Sequence, residues 1–280
     1  MIKKILLVAS EDPKTSSHVR AALSIARRFG ASVTGFVVVD KDDLSNIGPA
    51  PIGAFSYRYE LAKNRVARGL STASDSVAGL RGVCEAADVA FVAEQSVGDR
   101  DNTLANAWRF QDLAVLSSEV WIPGANESGD AETLLHFVAM GLRPLLVVPQ
   151  GFEGEPGKAM VSLSGSLDSA KAYKQFVQMR PFGDIPLHIV TVGDPKTGGR
   201  PEDLLREAAA YGELHGFTVT TASLPKTDRR VDALQAHART VGADLFVIGS
   251  SYHQFLMMTR FGSHALQMLR SSKYPVFVSH

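Results

Sequence analysis

The chain has 280 residues, 45% of them hydrophobic and 21% charged, with 29 basic and 29 acidic side chains. This is the composition of a globular protein with room for one large domain or two ordinary ones. A formal net charge of zero lacks the basic excess that phosphate backbones and anionic bilayers attract, so nucleic-acid and membrane-surface partners are set aside.

The chain opens on "MIKKILLVASEDP", with basic residues ahead of an apolar run in the manner of a signal peptide. The run is too short and acidic residues follow, so it reads as a first strand. No apolar stretch approaches the ~18 residues needed to span a bilayer. The single cysteine, Cys84, cannot form an internal disulfide, which points to a reducing cytoplasm. As a lone thiol it reads as a small packed residue.

After the first strand, Val19, Ala22, Leu23 and Ala26 keep helical spacing, and Gly30 follows as a stop. "SVTGFVVVD" (32–40) is a second strand. The Pro/Gly-rich "SNIGPAPIGAF" (45–55) reads as a tolerated surface insertion leading into a helical stretch from about Tyr57 to Leu80. "QDLAVLSS" (111–118) is a further strand, and the flanking Trp108 and Trp121 read as packing residues. "RPLLVVPQ" (143–150) is the last strand before "PQGFEGEPGK" (149–158), whose glycines, prolines and charges mark a linker.

The pattern then repeats. "GKAMVSLS" (157–164) answers "KKILLVAS" (3–10), and "PLHIVTVGD" (186–194) answers the second strand. "ADLFVIGSS" (243–251) answers "QDLAVLSS", and "YPVFVSH" (274–280) answers "RPLLVVPQ". The offset is 154 residues at the first pair and 132 at the shared "DL", so the first half carries about 22 extra residues. Helices with Ala170, Tyr173, Phe176 and Val177 on one face, and with Val231, Leu234, Ala238 and Val241 before Gly242, separate the later strands. Short Val/Ile/Leu runs alternating with helices predict an α/β fold: two tandem, open, mainly parallel five-stranded sheets with helices on both faces. The expected domains are 1–150 and 159–280, joined by 151–158.

"SGSLDS" (164–169) departs at Ser166 from SGGxDS, the phosphate turn of ATP pyrophosphatases. Such turns serve larger catalytic domains, so the stretch reads as a strand–turn–helix whose serines cap a helix and border a ligand. Six of the eight histidines, His188, His215, His237, His253, His264 and His280, lie after residue 180. No two are three or four apart and no cysteine joins them, so spacing supports no metal site. His253 and His264 read as solvent-exposed.

The last stretch, "ADLFVIGSSYHQFLMMTRFGSHALQMLRSSKYPVFVSH" (243–280), resembles the end of universal stress proteins. Their nucleotide signature is G-x2-G-x9-G-[ST]. Here Gly249, Gly262 and Ser263 hold the first, third and last positions, and Tyr252 replaces the second glycine. The run 227–251 resembles the family's third helix and fourth strand, and with the repeat the likeness covers nearly the whole chain in the tandem form of the family.

The resemblance implies a pocket in the second half formed by Leu163, Ser164, Gly165, Val192 and Ile248. Gly249, Ser250, Gly262, Ser263 and His264 complete it. Its implied ligand is ATP or another adenine nucleotide, bound weakly or no longer bound, with no metal beyond nucleotide-borne Mg2+. Gly249 is expected to let phosphate approach the backbone, and Gly262–Ser263 to open the last helix, whose positive end favours an anion. Family members that hold ATP have an aspartate where Ser164 and, in the first half, Ser10 stand. Tyr252 is expected to occlude the phosphate path. The first half lacks the glycine signature in "LSSEVWIPGANESGDAETL" (116–134), where Asp130 and Glu132 repel phosphate, and is expected to be a structural half.

By resemblance, "RPLLVVPQ" and "YPVFVSH" pair within the chain as an intrachain pseudo-dimer, and two chains are expected to associate as a homodimer. The implied function is a bacterial stress-response module acting through unidentified protein partners, not an enzyme. The alternatives are slow ATP hydrolysis or phosphate transfer at Gly249–Ser263, and a pocket repurposed for another small molecule.

Overall fold

A computed structural model describes residues 1–8, 12–39, 55–97, 100–118, 144–196, 198–250, 252–255, 258–261 and 263–280. The expectations for the 45–54 loop, Ser10, Trp121, Asp130, Glu132 and Gly262 fall outside these residues. In the first half, strands β1 (Lys4–Val8), β2 (Ser32–Val39), β3 (Phe91–Val97), β4 (Leu113–Ser117) and β5 (Leu145–Val148) alternate with helices α1 (Ser17–Phe29), α2 (Phe55–Ala86) and α3 (Arg100–Trp108). The second half runs β6 (Ala159–Ser162), α4 (Leu167–Met179), β7 (Leu187–Val192), α5 (Pro201–Leu214), β8 (Val219–Leu224), α6 (Arg230–Val241), β9 (Leu245–Gly249), a hairpin β10 (Tyr252–Phe255) and β11 (Met258–Phe261), α7 (Ser263–Ser271), and β12 (Val276–Ser279).

Ten strands form one sheet in the order β3-β2-β1-β4-β5-β12-β9-β6-β7-β8. Each half is parallel and has the same order, and the two meet where β12 lies antiparallel to β5, Phe277 opposite Leu146. The expected pairing of the last strands is therefore observed, and it fuses the two sheets into one. Both seam strands are buried along their length. Pairing them removes two apolar edges that would otherwise template aggregation.

The repeat extends to single hydrogen bonds. Asp112 accepts from the backbone N–H of Lys3 at 2.8 Å and of Lys4 at 3.1 Å, tying the start of β1 to β4. Asp244, its counterpart at the shared "DL", accepts from Gly157 and Lys158 at 2.9 Å and ties β6 to β9 in the same way.

Alternate residues of the buried strands face opposite layers, as the period of a strand demands. One cluster holds Ile5, Leu7, Phe277 and Val247 under α1, α2, α4 and α5, and includes Cys84 and Phe176. The other holds Leu6, Val8, Val276 and Phe246 under α3, α6 and α7, with Trp108 and Met268. Each cluster runs through both halves. Cys84 and Trp108 are fully buried, as expected of packing residues.

Two helix ends follow their sequence signals. Gly30 and Gly242 close α1 and α6 in left-handed conformations (φ 58° and 68°), which glycine reaches without a Cβ penalty. Helix α2 runs to Ala86, six residues beyond the expected Leu80. The 149–158 connection is held to the first half through Glu155, which accepts from Ser24 and, at 2.7 Å, from Arg28.

Candidate functional site

The strand order of the second half reverses between β6 and β9, and in open α/β sheets the crevice beyond the carboxyl ends of such strands is where ligands bind. A pocket lies there. Ser162, Leu163 and Ser164 reach it from the end of β6, Val192 from β7, and Ile248 and Gly249 from β9. Arg230, Val231 and Leu234 of α6 and His264, Ala265 and Met268 of α7 close the other wall. Ser166 and Ser169 of the α4 turn and Lys196 of the loop after β7 complete the lining.

The α4 turn is fixed by its own hydroxyls. Ser166 has the extended backbone of an N-cap (φ −78°, ψ 155°), and its Oγ accepts from the Ser169 backbone N–H at 3.3 Å. Ser169 Oγ donates to the Ser166 carbonyl at 2.8 Å and accepts from the Ser164 N–H at 3.2 Å. The Ser164 and Ser166 hydroxyls lie 2.9 Å apart. "SGSLDS" is thus a capped helix start whose three serines line a pocket, as the sequence suggested.

Gly165 makes the turn possible. Its φ is +77°, and a Cβ there would come within 2.8 Å of Pro195 Cβ. The 195–196 loop is drawn in close by a 2.8 Å hydrogen bond from the Lys196 N–H to the Ser164 carbonyl.

Gly249 also has a packing role. A Cβ at this position would lie 2.6 Å from the backbone of Asp168 and Ser169. The space left by the missing side chain is filled by the first turn of α4, so this glycine serves strand-to-helix packing.

Of the ten expected site residues, Leu163, Ser164, Val192, Ile248, Gly249 and His264 line the pocket. Gly165 shapes the turn behind it. Ser250 is buried beside the seam, its N–H donating to the Ser279 carbonyl at 2.9 Å. Gly262 and the Ser263 side chain lie outside the described residues, as do the side chains of Tyr252 and His253, although Ser263 does open α7. The 252–261 hairpin inside the glycine signature was not anticipated. Lys196 and Arg230 were not anticipated, because the repeat is carried by strands whereas Lys196 sits on a connection and Arg230 at a helix start.

Electrostatically the lining is one-sided: among the described residues it contains Lys196 and Arg230 and no aspartate or glutamate. The His264 imidazole is exposed at the rim, and its pKa is lowered first by loss of solvent and then by the charges of Arg230 and Lys196. All three cationic or ionisable groups thus act on one small space.

A second titratable group lies under α6. His188 on β7 and His237 on α6 bring their Nε2 atoms to 2.9 Å, and His188 Nδ1 lies 2.7 Å from Thr220 Oγ1. Burial first, then His237 and Lys158, hold the His188 pKa below its ordinary value. No group of three metal-ligating side chains occurs among the described residues. No helix among them is long and apolar enough to cross a membrane.

No protein-family model matches the chain. A universal stress protein of Synechocystis sp. is 29% identical over 136 residues, 48% of this chain and 46% of that protein. The match therefore spans about half the length of that relative. A universal stress protein of Archaeoglobus fulgidus aligns over 99% of this chain and 97% of its own, with a TM-score of 0.62 at 17% identity. A protein of unknown function from Pseudomonas aeruginosa aligns over 99% of this chain and 92% of its own, with a TM-score of 0.59 at 16% identity. The chain is similar to universal stress proteins in sequence over about half its length, and it shares their tandem α/β fold throughout.

Proposed function

We propose, from the premise that this chain carries the tandem universal stress protein fold, that it is a stress-response module that binds an adenine nucleotide weakly in its second half. The observation that carries the reading is the pocket at the β6/β9 reversal, which gathers six of the ten residues assigned by resemblance. Its inner wall of Leu163, Val192, Ile248 and Met268 suits the flat apolar body of a base. Its cationic rim suits phosphates. Ser164, standing where ATP-holding relatives have an aspartate, leaves the base without an acidic acceptor, hence the weak affinity.

The module acts by presenting its bound state to protein partners rather than by turnover. The described lining residues include no carboxylate to hold Mg2+ or to orient an attacking water, which supports a binder over a hydrolase. The first half, residues 1–150, serves as the structural partner that supplies β5 to the seam. The absence of a second cysteine fits a cytoplasmic setting.

The test is titration calorimetry with ATP, ADP and AMP in the presence of Mg2+, on the wild type and on Ser164→Phe, which fills the pocket at the end of β6. Saturable micromolar binding lost in the variant is expected. Absence of heat with every nucleotide at high protein concentration overturns the nucleotide assignment.

A further inference from the structure

We infer that the anionic group of the ligand is held between Lys196 and Arg230 at the mouth of the pocket, and not in the space beside Gly249 where a side chain is missing. The inference rests on the nucleotide reading above only for the identity of the ligand's body. The anion site itself follows from charge, pairing and packing.

Neither of the two cations that line the pocket is spent in an ion pair. Arginines close to them in sequence are neutralised locally: Arg229 pairs with Asp232 at 2.7 Å, Arg200 with Asp203 at 3.1 Å, and Arg206 with the same carboxylate at 2.8 Å. Among the described residues, Lys196 and Arg230 have no carboxylate partner, although the chain as a whole is electrically balanced. Asp194 and Asp228 stand two residues before them, are exposed, and do not line the pocket. A cation left unpaired beside a cavity of the same sign costs self-repulsion, which a bound anion relieves.

Position adds to charge. Arg230 is the first residue of α6, and Ser166 caps α4. With α7 starting at Ser263, three helices direct their positive ends toward the pocket. Lys196 is not on a loose connection, because its backbone N–H is bonded to Ser164 and its predecessor Pro195 packs on Gly165. The depression of the His264 pKa by both cations is the electrostatic trace of the same arrangement.

Packing closes one other opening. The backbone of Asp168 and Ser169 fills the position of a Gly249 Cβ, so a phosphate finds no room on that side of the glycine. A phosphate or carboxylate at the mouth instead meets a guanidinium with its two-pronged geometry and an ammonium as a point charge.

Calorimetry with three probes, ATP, adenosine and inorganic pyrophosphate, tests this on the full chain. The proteins are the wild type, the double variant Lys196→Gln/Arg230→Gln, and Ser263→Ala. Lys196 is exposed and Arg230 half-buried, so the double variant is expected to fold, and its urea midpoint verifies that. The expected result is a loss of tenfold or more in ATP affinity in the double variant, unchanged adenosine affinity, and no change in Ser263→Ala. Wild-type ATP affinity in the double variant, or a loss confined to Ser263→Ala, overturns the anion site and leaves nucleotide binding intact. Pyrophosphate bound by the wild type and lost in the double variant, with no adenosine or ATP binding, upholds the anion site and overturns the nucleotide reading. No binding of any probe to the wild type overturns both.

Discussion

Replacing Gly249 by alanine is expected to destabilise the fold far more than its small size suggests. The new Cβ would sit 2.6 Å from the Asp168 carbonyl carbon and the Ser169 nitrogen, and 2.7 Å from the Asp168 oxygen, where ordinary contact begins at 3.4 Å. These are backbone atoms in the first turn of α4, so no side-chain rotation relieves the clash. The helix must retreat by roughly 0.8 Å, against a packing energy in which gaps of that size forfeit a quarter to a half of each contact. Retreat would loosen the buried Tyr173, Phe176 and Val177 of α4 and disturb the three-serine turn at its start. Overpacking of a core costs about 1–3 kcal/mol, and with backbone as the obstacle the upper end, about 3 kcal/mol, is expected. Gly242→Ala is the control, because it forces a left-handed alanine (φ +68°) into a site with nothing within 4 Å. Its cost is the backbone term alone, about 1–2 kcal/mol. Urea unfolding of both variants and the wild type, followed by circular dichroism, measures the difference. If Gly249→Ala loses no more than Gly242→Ala, the close approach of β9 and α4 does not hold.

Acid is expected to weaken the fold through His188. Its folded pKa lies below the ordinary histidine value, so the unfolded chain takes up the proton first. The stability is present above about pH 6.5 and is lost as the pH falls through that value toward the folded pKa. The urea midpoint should drop between pH 7.5 and 5.5 in the wild type and by less in His188→Leu; equal drops would remove His188 as the cause. Cys84, fully buried and pushed up to about 11 by burial and then by Glu85, should resist a thiol reagent at pH 8 in the native protein and react at once in urea. Rapid native labelling would contradict its burial.

The fold was largely legible because its signals are local or repeated. Gly30 and Gly242 mark helix ends by a backbone requirement visible in one residue, and the shared "DL" marks equivalent strands because Asp112 and Asp244 make the same bonds. The pairing of β5 with β12 followed from resemblance and from the need to cover two apolar edges. β8 was harder, since as an edge strand "VTTASL" has no buried residue and lacks an apolar run.

The site was legible where strands end and illegible where loops do the work. Ile248 and Val192 follow from sheet order, but Lys196 meets the pocket only because the Gly165 turn packs on Pro195. His188 and His237 are 49 residues apart and meet because α6 covers β7. The role of Gly249 could not be read at all, since a glycine that admits a phosphate and one that admits a helix look alike in sequence.

The antiparallel seam has a consequence for how the two halves change over time. Two separate chains meeting through such strands must find each other by collision, and every substitution appears on both sides of the axis at once. Here a connection of about ten residues, 149–158, joins the two halves and holds them at an effective concentration on the order of millimolar or above. Closure of the seam is then independent of dilution, and symmetry is no longer imposed. One half can keep supplying a strand while the other takes up charges, such as Lys196 and Arg230, that do not stand at the matching positions of its sister.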